Sequence, residues 1–268
     1  MKNAKNRYTE IIERIFLSHY SEGIQEIFFE RGDLVRTAGE LGISLPKNLG
    51  AITCRFRYRA ALPDSIRSKA PEGRVWAIMP AGRPRYRFAA VAPIDIAPNP
   101  ALAETKIPDS TAAIVDMSAL SDEEALLAIV RYNRLVDMLT GIVCYSLQNH
   151  LRTYVRGIGR VETDEMYVWL DNLIVRYVFP IKAKGVSDKL NMVQLEQDFA
   201  VCASKFPNLV CNAIAAQFMK DDLIALFLFE MGDSGITLLT EKHYKLVPAA
   251  EITKGLLTYR SRLPKPVL

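Results

Sequence analysis

The stretch from Val161 to Gly185, VETDEMYVWLDNLIVRYVFPIKAKG, constrains the fold of this chain more than any other. Two apolar, β-favouring runs, Met166 to Leu170 and Val175 to Ile181, flank Asp171-Asn172, and that spacing predicts a strand, a turn and a second strand. Asp and Asn tolerate the backbone conformations a short connection requires. In antiparallel pairing the start of one strand lies opposite the end of the other, so Glu162 and Asp164 come near Lys182 and Lys184. Alternation puts Glu162 with Asp164, and Lys182 with Lys184, on common faces. Whether the two faces coincide depends on the turn, because a slip of one residue turns a strand over.

The flanks extend the pattern. Ser121-Asp122-Glu123-Glu124 reads as an N-cap with a capping box. The periodic positions Leu126, Leu127, Ile129, Val130, Leu135, Met138, Leu139, Ile142, Val143 and Leu147 then predict one helix ending near Arg152. After Gly185, Ser187 or Asp188 can cap a second helix on Met192, Leu195, Phe199, Cys202 and Phe206, closed by Pro207. Strand-like runs Leu209 to Phe218 and Leu223 to Met231 follow, separated by Lys220-Asp221-Asp222. This order predicts an α/β (α+β) core, a mixed sheet with a helix on each side.

With an Asp on one strand and Lys182-Ala183-Lys184 on the next, residues 121–230 resemble the PD-(D/E)XK nuclease superfamily, and hence a restriction-endonuclease-like fold. The resemblance implies a DNA endonuclease, of restriction or phage-defence type, that hydrolyses phosphodiester bonds with Mg2+ or Mn2+. Asp164 would bind the metal with Glu162, and Lys184 would stand beside the attacking water. Carboxylate oxygens suit a hard cation, which stabilises charge developing on the phosphate. The chain departs from the pattern at Lys182, where the family carries Glu, Asp or Gln, because a protonated lysine cannot coordinate a cation. Glu162 or Glu165 would have to replace that ligand. Gln194 and Gln197, with Asp198 on one side of the second helix, are candidates to complete the site, against the alternative of a solvated helix face. Gln148, Asn149 and His150 invite the same question, although a lone His is more often structural. Lys182 also supports a different reading, a DNA-binding regulator or inactive nuclease relative without chemistry. A third, an RNase H-like transposase, would need Asp221, Asp222 or Glu230 brought to Asp164.

The first hundred residues differ in character. Positions 6–30 carry helical spacing at Ile11, Ile12, Ile15, Phe16, Ile24, Ile27 and Phe28. Asp33 to Ile43 resembles the first helix and Gly turn of a helix-turn-helix, Leu45 to Ile52 could supply the next helix with Pro46 in its first turn, and Cys54 to Ala60 with Val75 to Met79 or Arg85 to Val91 would form a strand pair. That order resembles a winged helix-turn-helix domain. Between Lys47 and Arg87 ten basic residues face two acidic ones, a local net charge of +8 in a chain of +4. As strands, Arg55, Arg57 and Arg59, and Arg83, Arg85 and Arg87, would form a basic ribbon suited to DNA phosphates. The alternative is a sheet solubilised by its outer arginines.

The chain has 268 residues, 50% of them hydrophobic, enough for two units. Expected are a basic winged-helix-like DNA-binding domain over 1–92, a linker over 93–120 around Pro93, Pro98, Pro100 and Pro108, and the nuclease-like core over 121–268. No run reaches the length of a membrane span and the N-terminus carries no apolar signal core, so a cytoplasmic protein without a membrane partner is expected. Cys54, Cys144, Cys202 and Cys211 lack CxxC spacing, and His19, His150 and His243 do not cluster, which argues against structural zinc and a disulfide framework. The expected partner is double-stranded DNA, with a homodimer as an open expectation from the family.

Overall fold

A computed structural model describes residues 7–58, 60–82, 84–93, 96–111, 122–171, 174–186, 188, 190–233 and 235–252. Arg59, Arg83, the proposed cap Ser121, the turn residue Asn172, Ser187 and the basic residues beyond Lys254 lie outside the described residues.

Helix α1 (Arg7–His19) follows the spacing of Ile11, Ile12, Ile15 and Phe16, all buried. The helix expected over 6–30 stops there. Gly23 takes a left-handed φ of 84°, and β1 (Glu26–Glu30) alternates, with Ile27 and Phe29 inward. Helices α2 (Arg31–Glu40), α3 (Gly50–Tyr58) and α4 (Asp64–Arg67) precede β2 (Val75–Pro80) and β3 (Arg85–Val91). The three strands form an antiparallel sheet in the order β1-β3-β2. Phe16, Phe29, Trp76 and Phe88 lock this sheet to α1 through edge and stacked ring contacts.

The strand expected over Cys54 to Ala60 is a correction, because this segment belongs to α3 as far as Tyr58. Ile52, Thr53 and Phe56 are its buried positions, a helical spacing, and burying them outweighs the alternation of Arg with Phe and Tyr.

The larger sheet has seven strands: β4 (Glu104–Pro108), β5 (Cys144–Val155), β6 (Gly159–Asp171), β7 (Ile174–Lys184), β8 (Val210–Phe218), β9 (Leu223–Gly232) and β10 (Gly235–Val247). Their order is β4-β10-β9-β8-β7-β6-β5. Strands β5, β6 and β7 form an antiparallel meander. Helix α7 (Met192–Lys205) carries the chain from β7 to β8, which are parallel. Strands β8, β9 and β10 are antiparallel, and β4 pairs parallel with β10.

Helices α5 (Asp122–Tyr132) and α6 (Leu135–Thr140) cover one face of the sheet. Leu126, Val130, Leu135 and Leu139 pack there on Phe179, Ile181, Ile214 and Leu226. Helix α7 covers the other face, with Leu195 and Phe199 against Phe227 and Phe229, and Val201 and Cys202 against Met166, Val168 and Val178. The protein is therefore a mixed α/β structure whose large mixed sheet is flanked by helices.

Three expectations are corrected. The single helix over 122–152 divides, since Arg134 adopts a left-handed φ of 51° and Gly141 caps α6 at φ 77°; the remainder is β5, an edge strand whose mostly exposed side chains hide its period. The Pro-rich stretch over 93–120 is not wholly a linker, because Glu104–Pro108 adds the edge strand β4. The segment after Gly232 contains the 13-residue β10. Among the described residues no helix is long and apolar enough to cross a membrane, and all four cysteines are free thiols.

Candidate functional site at the fork between β6 and β7

The ladder between β6 and β7 runs from Asp171 opposite Ile174 to Glu165 opposite Ile181. The next pair outward is Asp164 against Lys182. Here side chains replace the backbone ladder. Asp164 Oδ2 accepts the Ala183 N–H at 3.1 Å and Asp164 Oδ1 accepts from Lys182 Nζ at 2.8 Å. Lys182 Nζ also donates to the Glu162 carbonyl. The strict alternation expected of β6 breaks at this point. Thr163 reaches Asp198 on α7, whereas Glu165 reaches Arg131 on α5, so β6 changes face at Asp164.

Lys182 is only 5% exposed. Burial by itself lowers its pKa, but the carboxylates of Asp198, Asp164 and Glu162 outweigh that and hold it above the ordinary lysine value. Asp198 is fully buried, and its Oδ1 accepts the Thr163 hydroxyl at 2.6 Å while Oδ2 has no partner. Desolvation pushes its carboxyl up from 3.8 to about 7, against the opposing pull of Lys182 and of the Thr163 bond. The buried cluster thus combines one firmly charged ammonium, one carboxylate bound to it and one acid that titrates near neutrality.

Lys184 follows a different path from Lys182. Its Nζ donates to Glu123 Oε1, at 2.6 Å, in the first turn of α5. Both residues line a cleft of about 730 Å³ with Asp188 and Gln194 on one wall and Arg55 and Tyr58 of α3 on the other. Two polar links hold α3 against α7. Asn191, whose Oδ1 caps α7 at the Val193 N–H, donates its amide to the Arg57 carbonyl. The Tyr58 hydroxyl donates to Gln197 Oε1 at 3.4 Å and also accepts from Arg57 at 2.7 Å.

A second buried charge cluster lies under α5. Glu165, 0% exposed, accepts from Arg131 at 2.9 Å and from the Ser146 hydroxyl at 2.7 Å. The bond to Glu165 raises the Arg131 pKa further, so this pair stays ionised.

The sequence-derived candidates therefore separate. Asp164 and Lys182 meet, and Lys184 and Gln194 reach the cleft. Glu162, a candidate metal ligand, is corrected: its side chain turns outward to Arg152 at 3.0 Å and to His150 at 3.6 Å, and the bond from Arg152 lowers its pKa. Glu165 is committed to Arg131. Gln197 holds Tyr58 instead of entering the cleft. Arg85 and Arg87 are paired across strands with Glu30 and Glu26 at 2.8 and 2.9 Å, which corrects their assignment as a free basic ribbon. Arg55 and Arg57 sit on a helix, Arg55 in the cleft and Arg57 stacked on Tyr58 at 4.8 Å. Glu230 lies opposite Asn212 at the start of β8, while Lys184 is beside Gln217 near its end, so the acids of an RNase H-like site do not assemble. Glu123 and Asp198 were not singled out for chemistry from sequence; Glu123 read as a helix cap and Asp198 as one polar position among several.

A divalent cation is the group implied by the nuclease resemblance, and the residues here do not fit it. Both Asp164 oxygens already accept from β7, and among the described residues no three His, Cys, Asp or Glu side chains form a metal-sized group. A doubly charged ion about 4 Å from the Lys182 ammonium would be repelled by about 8 kcal/mol at an effective dielectric of about 20. No family model, curated protein or solved structure matches this chain.

Proposed function

We propose that this chain binds double-stranded DNA in the cleft between α3 and the β6–β7 fork and hydrolyses a phosphodiester bond there, as a restriction-endonuclease-like protein with a winged-helix-like N-terminal unit. The observation that carries the reading is the convergence of Lys184, Glu123 and Gln194 from the large sheet with Arg55 from α3 on one cleft. The element order supports it: a helix precedes the meander, β7 carries Lys-x-Lys opposite Asp164, and α7 crosses over to a parallel β8. In the N-terminal unit, two helices after β1 and the hairpin of β2 with β3 support a helix-turn-helix with a wing.

In this reading Arg55 and Lys184 receive phosphate oxygens, and Lys184 also orients the attacking water. The water oxygen bonds to phosphorus as the bond to the leaving sugar oxygen breaks. Glu123 takes the water proton, and the leaving oxygen takes one from solvent. Asp164 and Lys182 act behind the cleft by fixing the end of β7.

The Lys182–Asp164 pair favours one other reading, DNA binding without chemistry. Supercoiled plasmid incubated with the protein distinguishes them. Cutting that Lys184→Ala abolishes supports hydrolysis, retarded but intact plasmid supports binding alone, and unbound plasmid refutes both.

A further inference from the structure

We infer that Lys182 is the resident cation of this fork, holding permanently the place that a divalent ion would take, so that the chain handles nucleic-acid phosphate without a metal at Asp164. The inference rests on the nuclease-like reading only for where a metal would be expected, and its own support is geometric. The ammonium lies 2.8 Å from Asp164 Oδ1 and donates to the Glu162 carbonyl, two oxygens that a hard cation would otherwise draw on. The second carboxylate oxygen is closed by the Ala183 N–H at 3.1 Å. Asp198 faces the same ammonium from α7 with an orphaned, fully buried Oδ2, and Thr163 occupies its other oxygen.

The arrangement has the features of a cation site: anionic and carbonyl oxygens from two strands and a helix, converging in a dry place. What fills it is covalently attached. A tethered ammonium carries one charge where a magnesium ion carries two, and with only 5% exposure Lys182 has no route to solvent that leaves its partners in place. It also lies behind the cleft wall that Lys184 and Glu123 form. The cluster therefore supports the end of β7 electrostatically, and phosphate meets Lys184 and Arg55 instead.

The test is Mn2+ binding by the full-length chain, followed by electron paramagnetic resonance without DNA. Wild type is expected to show no bound Mn2+ that Asp164→Asn removes. Lys182→Glu, which returns a carboxylate to the position, is expected to bind Mn2+ about tenfold or more tightly than wild type, and Lys182→Glu/Asp164→Asn to lose that gain. Because Lys182→Glu could compromise folding, Lys182→Gln provides a neutral variant, with melting temperature read as a function of Mn2+. A rise confined to the Lys182 variants supports the inference, because a ligand that binds only the folded state stabilises it. Mn2+ bound by wild type and released by Asp164→Asn overturns it, as does a folded Lys182→Glu or Lys182→Gln chain that gains no Mn2+. DNA retardation measured in chelator separates the two levels of the account. Loss of DNA binding under all conditions refutes the nucleic-acid reading and leaves the metal result intact.

Discussion

Replacing Asp198 by Asn removes the one buried acid that titrates near neutrality, and the consequence for stability is a change in slope with pH. In the folded chain desolvation holds this carboxyl at about 7, against 3.8 for the free group. The folded state therefore binds the proton more tightly than the unfolded chain does. The stability this contributes is fully present below 3.8 and is lost as pH rises through about 7. A shift of about three units at about 1.4 kcal/mol each corresponds to about 4 kcal/mol across the whole window. Between pH 5 and pH 8 the share is about 2 to 3 kcal/mol. Asn cannot titrate, so the stability of Asp198→Asn relative to wild type should rise by that amount from pH 5 to pH 8. Its amide takes the place of an oxygen that has no partner, which adds a cost that is constant with pH, so the slope and not the offset carries the prediction. Urea unfolding followed by tryptophan fluorescence at several pH values measures it. A difference between the two proteins that stays flat within about 0.5 kcal/mol would mean that Asp198 is ionised throughout and that Lys182 outweighs desolvation.

Other perturbations have outcomes set by the same geometry. Lys184→Ala should abolish cleavage while changing DNA affinity little, as gel retardation and plasmid cutting together report. Arg55→Ala should weaken binding and reduce the salt slope of log Kd by about one, whereas Arg85→Ala, which breaks an exposed pair with Glu30, should cost about 1 kcal/mol or less in stability and leave DNA binding nearly unchanged. Arg131→Ala leaves Glu165 buried without its cation, so it should destabilise the fold by about 3 kcal/mol or more in chemical denaturation. Tyr58→Phe removes the hydroxyl that joins α3 to Gln197, and faster amide exchange in α3 with little change in the large sheet is the expected readout.

How far the fold could be read from sequence varied with the strength of the local period. The β6 and β7 hairpin was legible because Met166 to Leu170 and Val175 to Ile181 are dense in β-favouring residues on either side of a polar break. α7, β8 and β9 were legible for the same kind of reason, although Asn191 caps α7 where Ser187 or Asp188 was expected. β5 was not legible: CYSLQNHLRTYV continues the helical spacing of the preceding segment, and only the left-handed Arg134 and Gly141 end the helices. In α3 the alternation of Arg with Phe and Tyr imitates a strand, while the burial of Ile52, Thr53 and Phe56 is a tertiary effect. β1 was absorbed into a longer helix because Ile24, Ile27 and Phe28 happen to continue the spacing of α1. At the site, the meeting of Asp164 with Lys182 depended on register and on the change of face in β6, neither of which residue spacing determines. Glu123 could have been found as an acid at the head of the helix before the hairpin, and the burial of Asp198 follows only from how α7 docks.

The measurement that tests the central claim most directly is incubation of supercoiled plasmid with the wild-type protein and with Lys184→Ala, with magnesium and again with chelator. The account predicts nicked or linear products from wild type in both conditions, and retarded but uncut plasmid from Lys184→Ala. Plasmid that wild type neither cuts nor retards in either condition would contradict it.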